Sequence, residues 1–471
     1  MKTYEASKDC FKTGLFLTNP AKSADPPVAS SHLFLTQKGS PAIRGELSRL
    51  IANAETVIKI CSFIVTDPQI FGQLLNKARE KKVAIFLLTQ LDNSKLINTS
   101  ADMDLSNADE QSALHLHHIQ RLYDQGVHVR AATTAHAKFV IADRKTGFLT
   151  SANLTGPSLD LNMESAIYVN ERDSVQLDRL FDIIFQKGTQ YRHYISASKQ
   201  KNLIIQAGAS LQPHDLSLLD NTAGTKYTYE KLMHGLYEQI VQIINGAEQF
   251  IYLSSFSIVA LDKLPEFCQA ITSAVQRNVT ITIFCRGMNF REDHLEACEW
   301  LRATGCSIFG DFYNHSKGIA NEHEGLLFTA NIDGIHGLKS GFEVGCMFSR
   351  EQHRAFVHLQ QCLVANSDYV FTAGAPRRDF FDTYSVYEQH KNIKRPPLPN
   401  ALTIRKSNQD LPDLDTSPVF FASDQLGYLL VSGKYQWKCN YADGVFEIVN
   451  KEPKDKSRNL FLLKYETLTI D

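Results

Sequence analysis

Two histidines constrain this chain of 471 residues more than anything else in it. His136-Ala137-Lys138 and His315-Ser316-Lys317 repeat one His-x-Lys pattern, and the residues downstream of each copy repeat too. Thr150-Ser151-Ala152-Asn153 and Glu164 lie beyond the first, and Phe328-Thr329-Ala330-Asn331 and Glu343 beyond the second. Each glutamate stands 28 residues after its histidine. A lone histidine in an apolar stretch is usually structural. Two copies with matched offsets point instead to a duplicated domain whose halves share one site.

On a strand, His136 and Lys138 face the same side, as do His315 and Lys317. An imidazole beside an ammonium, backed by a hydroxyl and an amide, suits a phosphate. A phosphodiester resists water, and its leaving group needs a proton. One neutral imidazole can attack phosphorus to give a phosphohistidine, while an opposing imidazolium protonates the leaving oxygen and then activates water. Histidine serves both roles because its pKa lies near neutrality. Lys138, Lys317, Asn153 and Asn331 are expected to hold the non-bridging oxygens. Glu164 and Glu343 are each expected to accept from the far nitrogen of one imidazole, Glu164 aligning His136. The scheme requires no metal and no cofactor.

These residues resemble the HKD signature of the phospholipase D superfamily, H-x-K-x4-D followed by a G-S-x-N-like segment. His136, Lys138, Asp143, Ser151 and Asn153 fit the first copy. In the second, Glu322 stands at the Asp position and Thr329 at the Ser position, and the glycine usual before Ser is Thr150 or Phe328. The resemblance spans about residues 43–373. It implies an α/β fold of two tandem phospholipase D-like α/β/α sandwich domains with pseudo-twofold symmetry. It also implies a catalytic set that includes Asp143 and Glu322, with His136 as nucleophile and His315 as acid.

The chain divides into an N-terminal extension (1–42), a first domain (43–190), a linker (191–225), a second domain (226–373), and a basic linker with a small β-rich C-terminal region (374–471). Strand-like pieces at 14–18 and 32–36 suggest a hairpin or extension. Within each domain helices alternate with strands, which predicts a mostly parallel sheet covered on both faces. Asp67-Pro68 opens a helix, and 229–246 has the spacing of a long amphipathic one. Glu55 aligns with Glu248, and Ser62-Phe63 with Ser255-Phe256.

Outside the motifs, His115, His117 and His118 read as a solvated helix surface, and Cys298 and Cys306 as core packing. Nine cysteines, scattered singly, suit a reducing compartment. No signal-peptide core and no run near 18 apolar residues appears, so no transmembrane anchor and a cytoplasmic location are expected. A net charge of −2 excludes coating nucleic acid by bulk charge but allows a local basic groove. Arg377 to Lys406 is locally basic and could line one, with Tyr384 and Tyr387 either stacking on bases or packing.

The superfamily includes lipid enzymes, nucleases and enzymes that resolve protein–DNA adducts. The last usually lack the motif acid, so Asp143 and Glu322 speak against that class. A lipid enzyme would need interfacial access, for which no anchor is seen. The expected partner is therefore a nucleic acid, cut in processing or in defence against foreign nucleic acid. A phospholipase or phosphatidyltransferase acting on phospholipid is the alternative, and a silent phosphate-binding protein the third reading.

Overall fold

The computed structural model describes residues 2–6, 14–23, 30–91, 96, 108–132, 135–188, 191–195, 203–206, 211–220, 222–288, 290–374, 377–391, 395–405, 419–424, 427–458 and 460–467. Parts of the N-terminal extension, the linker and the basic run lie outside them. Ser23–Arg286 with Tyr313–Asn366 form the larger of two compact units. Met1–Lys22, Gly287–Phe312 and Ser367–Asp471 form the smaller.

The larger unit is built twice on one plan. In the first sheet, Val57–Cys61, Ala84–Thr89 and His128–Ala132 run parallel. On the other side of Val57–Cys61, Phe139–Ala142, Thr146–Thr150 and Glu164–Tyr168 come in antiparallel succession. The second sheet repeats this with Phe250–Ser255 parallel to Thr280–Arg286, then Gly318–Asn321, Gly325–Phe328 and Phe342–Met347 antiparallel. The fold is α/β, as expected, but its sheets are mixed rather than mostly parallel. In the first sheet the cause is local: Asp143 and Arg144, both at positive φ, turn the motif strand straight back, leaving no room for a crossover helix.

Helices cover the sheets through apolar stripes. Asp67 accepts the Ile70 N–H and caps Pro68–Arg79, which buries Ile70, Phe71, Leu74, Leu75 and Ala78. These side chains join one core with Ile58, Ile60, Leu87 and Val140 of the sheet. The helix expected over 229–246 is shorter. Gly235–Asn245 is helical, and Thr225–Tyr229 is instead a strand beside Phe342–Met347. The stretch read as a linker also contributes Tyr191–Ile195 and Leu203–Gln206 to the first sheet.

The two strand-like pieces near the N-terminus do not pair with each other; Phe34–Gln37 instead turns back on Ser40–Pro41. Phe34–Gln37 pairs with the start of Glu164–Tyr168, whereas Leu15–Thr18 pairs with Tyr369–Thr372. In the smaller unit, Lys2–Ala6 closes a barrel with Ala401–Arg405, Val419–Asp424, Gly427–Ser432, Tyr435–Ala442, Val445–Pro453 and Leu463–Thr467. The β-rich C-terminal region therefore borrows a strand from the other end of the chain. Tyr384 and Tyr387 of the helix Arg377–Lys391 pack on Phe290, with ring centroids 5.3 and 5.4 Å away, so packing is the role the structure gives them.

Candidate active site

Both motifs lie in the larger unit, and the backbone joins them before any side chain does. His136 and Ala137 donate their N–H groups to Phe342 O, at 3.1 and 2.8 Å. His315 N donates to Met163 O at 2.9 Å, and Met163 N to Tyr313 O at 3.0 Å. Phe342 and Met163 immediately precede Glu343 and Glu164, so each half presents its carboxylate to the imidazole of the other. His136 Nδ1 and Glu343 Oε1 are hydrogen-bonded at 2.7 Å. His315 Nδ1 and Glu164 Oε1 are also 2.7 Å apart, although not aligned as a hydrogen bond. The expectation that Glu164 aligns His136 is thus corrected. Glu343 does so, because the register between the halves exchanges the two partners.

The hydroxyls hold the other carboxylate oxygens. Ser151 Oγ donates to Glu164 Oε2 at 2.5 Å and accepts from Ser165 N at 3.0 Å. Thr329 Oγ1 donates to Glu343 Oε2 at 2.6 Å and accepts from Val344 N at 3.0 Å. Either residue supplies the same donor and lone pairs, so Thr for Ser changes nothing in this arrangement. Lys138 Nζ donates to His136 O, and Lys317 Nζ to His315 O at 2.8 Å. Both lysines are buried, as is Asn153, and Asn331 Oδ1 is buried with no hydrogen-bond partner among the described residues.

Burial dominates the electrostatics, and neighbouring charges separate the two histidines. Burial holds His136 below the usual histidine range, with Glu343 opposing it and Lys138 and Lys317 adding to it. His315 is pushed further down by burial and then by Lys317, Lys138, His136 and Arg286. Burial lifts Glu164 to about 7 against the pull of Lys317, whereas His136 keeps Glu343 below the carboxylate range despite its burial. The ammonium groups are depressed by burial too, Lys138 to about 8 and Lys317 to about 7. The charges that act across the halves belong to one site. An anion arriving between the lysines supplies the countercharge they lack, and so favours protonated forms.

Asp143 and Glu322 have a different task from the catalytic one expected. Asp143 accepts from the backbone of Glu55, Thr56 and Val57 and from the Thr56 hydroxyl, at 2.7–3.1 Å. Glu322 accepts from Glu248, Gln249 and Phe250 N, at 2.5, 3.2 and 3.2 Å. Each acid pins the start of the central strand, at the aligned positions Glu55 and Glu248. Burial raises both carboxyls, and the N–H donors outweigh it and leave them low. A longer Glu serves this purpose as well as Asp. Glu322 with Glu248 and His323 could offer a cation three ligand atoms, but the strand N–H groups already occupy Glu322.

The reading of His115 and His118 as solvated is overturned as well. Both are buried on the helix Ala108–Asp124, and only His117 faces water. His115 Nδ1 accepts from Val65 N at 3.0 Å and its Nε2 donates to Gln90 O at 2.7 Å, while His118 stacks on Phe71 at 3.8 Å. Sequence reasoning gave no role to Phe63 and Phe256, whose rings meet His136 and His315 edge-on at 6.1 and 4.9 Å. It also passed over the Ser165–Ser316 hydroxyl contact of 2.7 Å between the halves. The alignment of Ser62-Phe63 with Ser255-Phe256 was the available signal for the phenylalanines.

Among known proteins, residues 47–184 match the family model described as "Cardiolipin synthase, PLD-like domain". No curated protein matches the chain. The crystal structure of a phosphatidylserine synthase from Haemophilus influenzae Rd KW20 is similar in fold, with a TM-score of 0.54 at 11% identity over 81% of this chain and 96% of that one. Polyphosphate kinase from Porphyromonas gingivalis has a TM-score of 0.45 at 11% identity, over 77% of this chain and 55% of that one. Nuc from Salmonella typhimurium, a phospholipase D family member, has a TM-score of 0.28 at 16% identity, over 35% of this chain and 98% of that one. Residues 47–184 thus form a phospholipase D-like domain, and the second His-x-Lys motif of the same chain meets it in one site.

Proposed function

We propose that the chain cleaves phosphodiesters through a phosphohistidine on His136. The observation that carries this reading is the aligned 2.7 Å bond from His136 Nδ1 to Glu343. A carboxylate only accepts, so the imidazole proton sits on Nδ1 and the Nε2 lone pair is left for phosphorus. His136 is also the more accessible of the two, its side chain 25% exposed against 5% for His315.

In the first step His136 Nε2 bonds to phosphorus, the bond to the leaving oxygen breaks, and the His315 imidazolium gives that oxygen its proton. In the second, His315 takes a proton from water as the water oxygen attacks, and the P–N bond breaks. Lys138, Lys317, Asn153 and Asn331 hold the non-bridging oxygens and stabilise charge that grows in the transition state. An alcohol in place of water would make the same site a transferase. No step calls for a metal, so activity is expected to persist in excess EDTA.

Nucleic acid is the substrate we propose, on the charge argument made from the sequence. Phosphatidyl lipid is the second reading. It is favoured by the names of the matching family model and of the structure that this chain covers over 96% of its length. Labelled single- and double-stranded DNA, RNA and phosphatidyl vesicles, each assayed with and without EDTA, separate the two. Headgroup release with no nucleic-acid cleavage would overturn the first reading. Inactivity on every ester, including bis(4-nitrophenyl) phosphate, would overturn both.

A further inference from the structure

The serines that align between the repeats, Ser62 and Ser255, make the same contacts in each half. Ser62 Oγ donates to Ile64 O at 2.9 Å and accepts from Leu154 N at 3.3 Å. Ser255 Oγ donates to Ser257 O at 2.7 Å and accepts from Ile332 N at 3.1 Å. Leu154 and Ile332 come directly after Asn153 and Asn331. Each hydroxyl therefore ties the loop leaving the central strand to the backbone that carries the phosphate-binding amide. Both serines are buried, so the N–H each accepts has no water to turn to if the hydroxyl is removed.

The surrounding backbone reinforces the same tie. A parallel bridge joins Val65 to Leu154 in the first half, and another joins Ile258 to Ile332 in the second. Beyond the serine, the halves fasten this loop differently. His115 holds Val65 and Gln90 in the first half, and in the second Asn314 Nδ2 donates to Ser255 O at 3.1 Å. Two solutions around one shared serine indicate that both halves need the position of the loop rather than any one fastener.

We propose that Ser62 and Ser255 are positioning residues that act on catalysis through Asn153 and Asn331, an inference that rests on the phosphodiesterase reading. A double-mutant cycle on bis(4-nitrophenyl) phosphate tests it, because residues that act through one another lose additivity. Ser62→Ala is expected to lower kcat/KM about tenfold in the otherwise native chain and less than about twofold when Asn153 is already Ala. Combined with Asn331→Ala, it should keep its full effect. A merely structural serine would cost the same in every background, and that result, or no loss at all, would overturn the proposal.

Ser255→Ala with Asn331→Ala provides an independent cycle if Ser62→Ala fails to fold. The same cycles read by the dissociation constant of orthovanadate need no turnover. Inactivity of the native chain on every ester would thus sink the phosphodiesterase reading, while the vanadate cycle would still decide the role of the serines.

Discussion

Glu343 bonds to His136, a residue 207 positions earlier in the chain, and leaves His315 of its own repeat to Glu164. This exchange makes the two repeats chemically interdependent. Glu343→Gln keeps the shape of the acceptor but can present its amide nitrogen to Nδ1 and reverse the tautomer. We expect kcat to fall by about 10⁴-fold, the scale seen when a carboxylate that orients a catalytic imidazole becomes an amide. Steady-state rates with the variant shown to be folded would check this, and a loss below about tenfold would contradict the role given to Glu343.

The order of the histidines has its own test. With 4-nitrophenolate leaving, the first step needs little acid catalysis, so His315→Ala should show a burst of one equivalent and accumulate phosphohistidine. His136→Ala should show neither. Rapid-quench mass spectrometry would place the phosphoryl group, and finding it on His315 in the native enzyme would reverse the assignment.

The lysines set the expected pH profile. Burial depresses Lys317 to about 7 and Lys138 to about 8, and both must be protonated to bind an anionic phosphate. kcat/KM, which reports the free enzyme, is therefore expected to fall as pH rises through 7 to 8. Bound phosphate favours the charged ammonium groups, so the corresponding fall in kcat should lie at higher pH. Lys317→Arg cannot lose its proton in this range and should shift the alkaline limb of kcat/KM upward, even if its absolute rate is lower.

Asp143 is expected to affect stability and leave chemistry alone. Asp143→Ala removes the acceptor of three backbone N–H groups and a hydroxyl, and should cost about 1–3 kcal/mol in denaturant unfolding. The folded fraction should keep kcat within about twofold of native. A large fall in kcat without loss of stability would return Asp143 to the catalytic set.

The sequence made the site legible where chemistry and strand periodicity coincide. His136 with Lys138 and His315 with Lys317 could be placed on shared faces because a strand repeats every two residues. The exchange of Glu164 and Glu343 could not be read, since equal offsets of 28 residues fit own-half and crossed pairing alike. Asp143 was misassigned because position in a motif does not reveal which way the side chain of a left-handed residue turns. His115 looked solvated because its helix is polar, yet it is bonded to backbone of two buried loops. The barrel was recognised only as β-rich, because its closing strand, Lys2–Ala6, meets partners about 400 residues away.

The exchanged carboxylates also bear on how such a chain could have arisen. A gene for one repeat alone would encode a histidine without its acid and an acid without its histidine. Only two copies meeting face to face would have been active, so pairing of separate subunits would have preceded fusion. Once fused, the copies were free to diverge: Ala137 and Val344 on one side now answer Ser316 and Ser165, which share a hydroxyl contact, on the other.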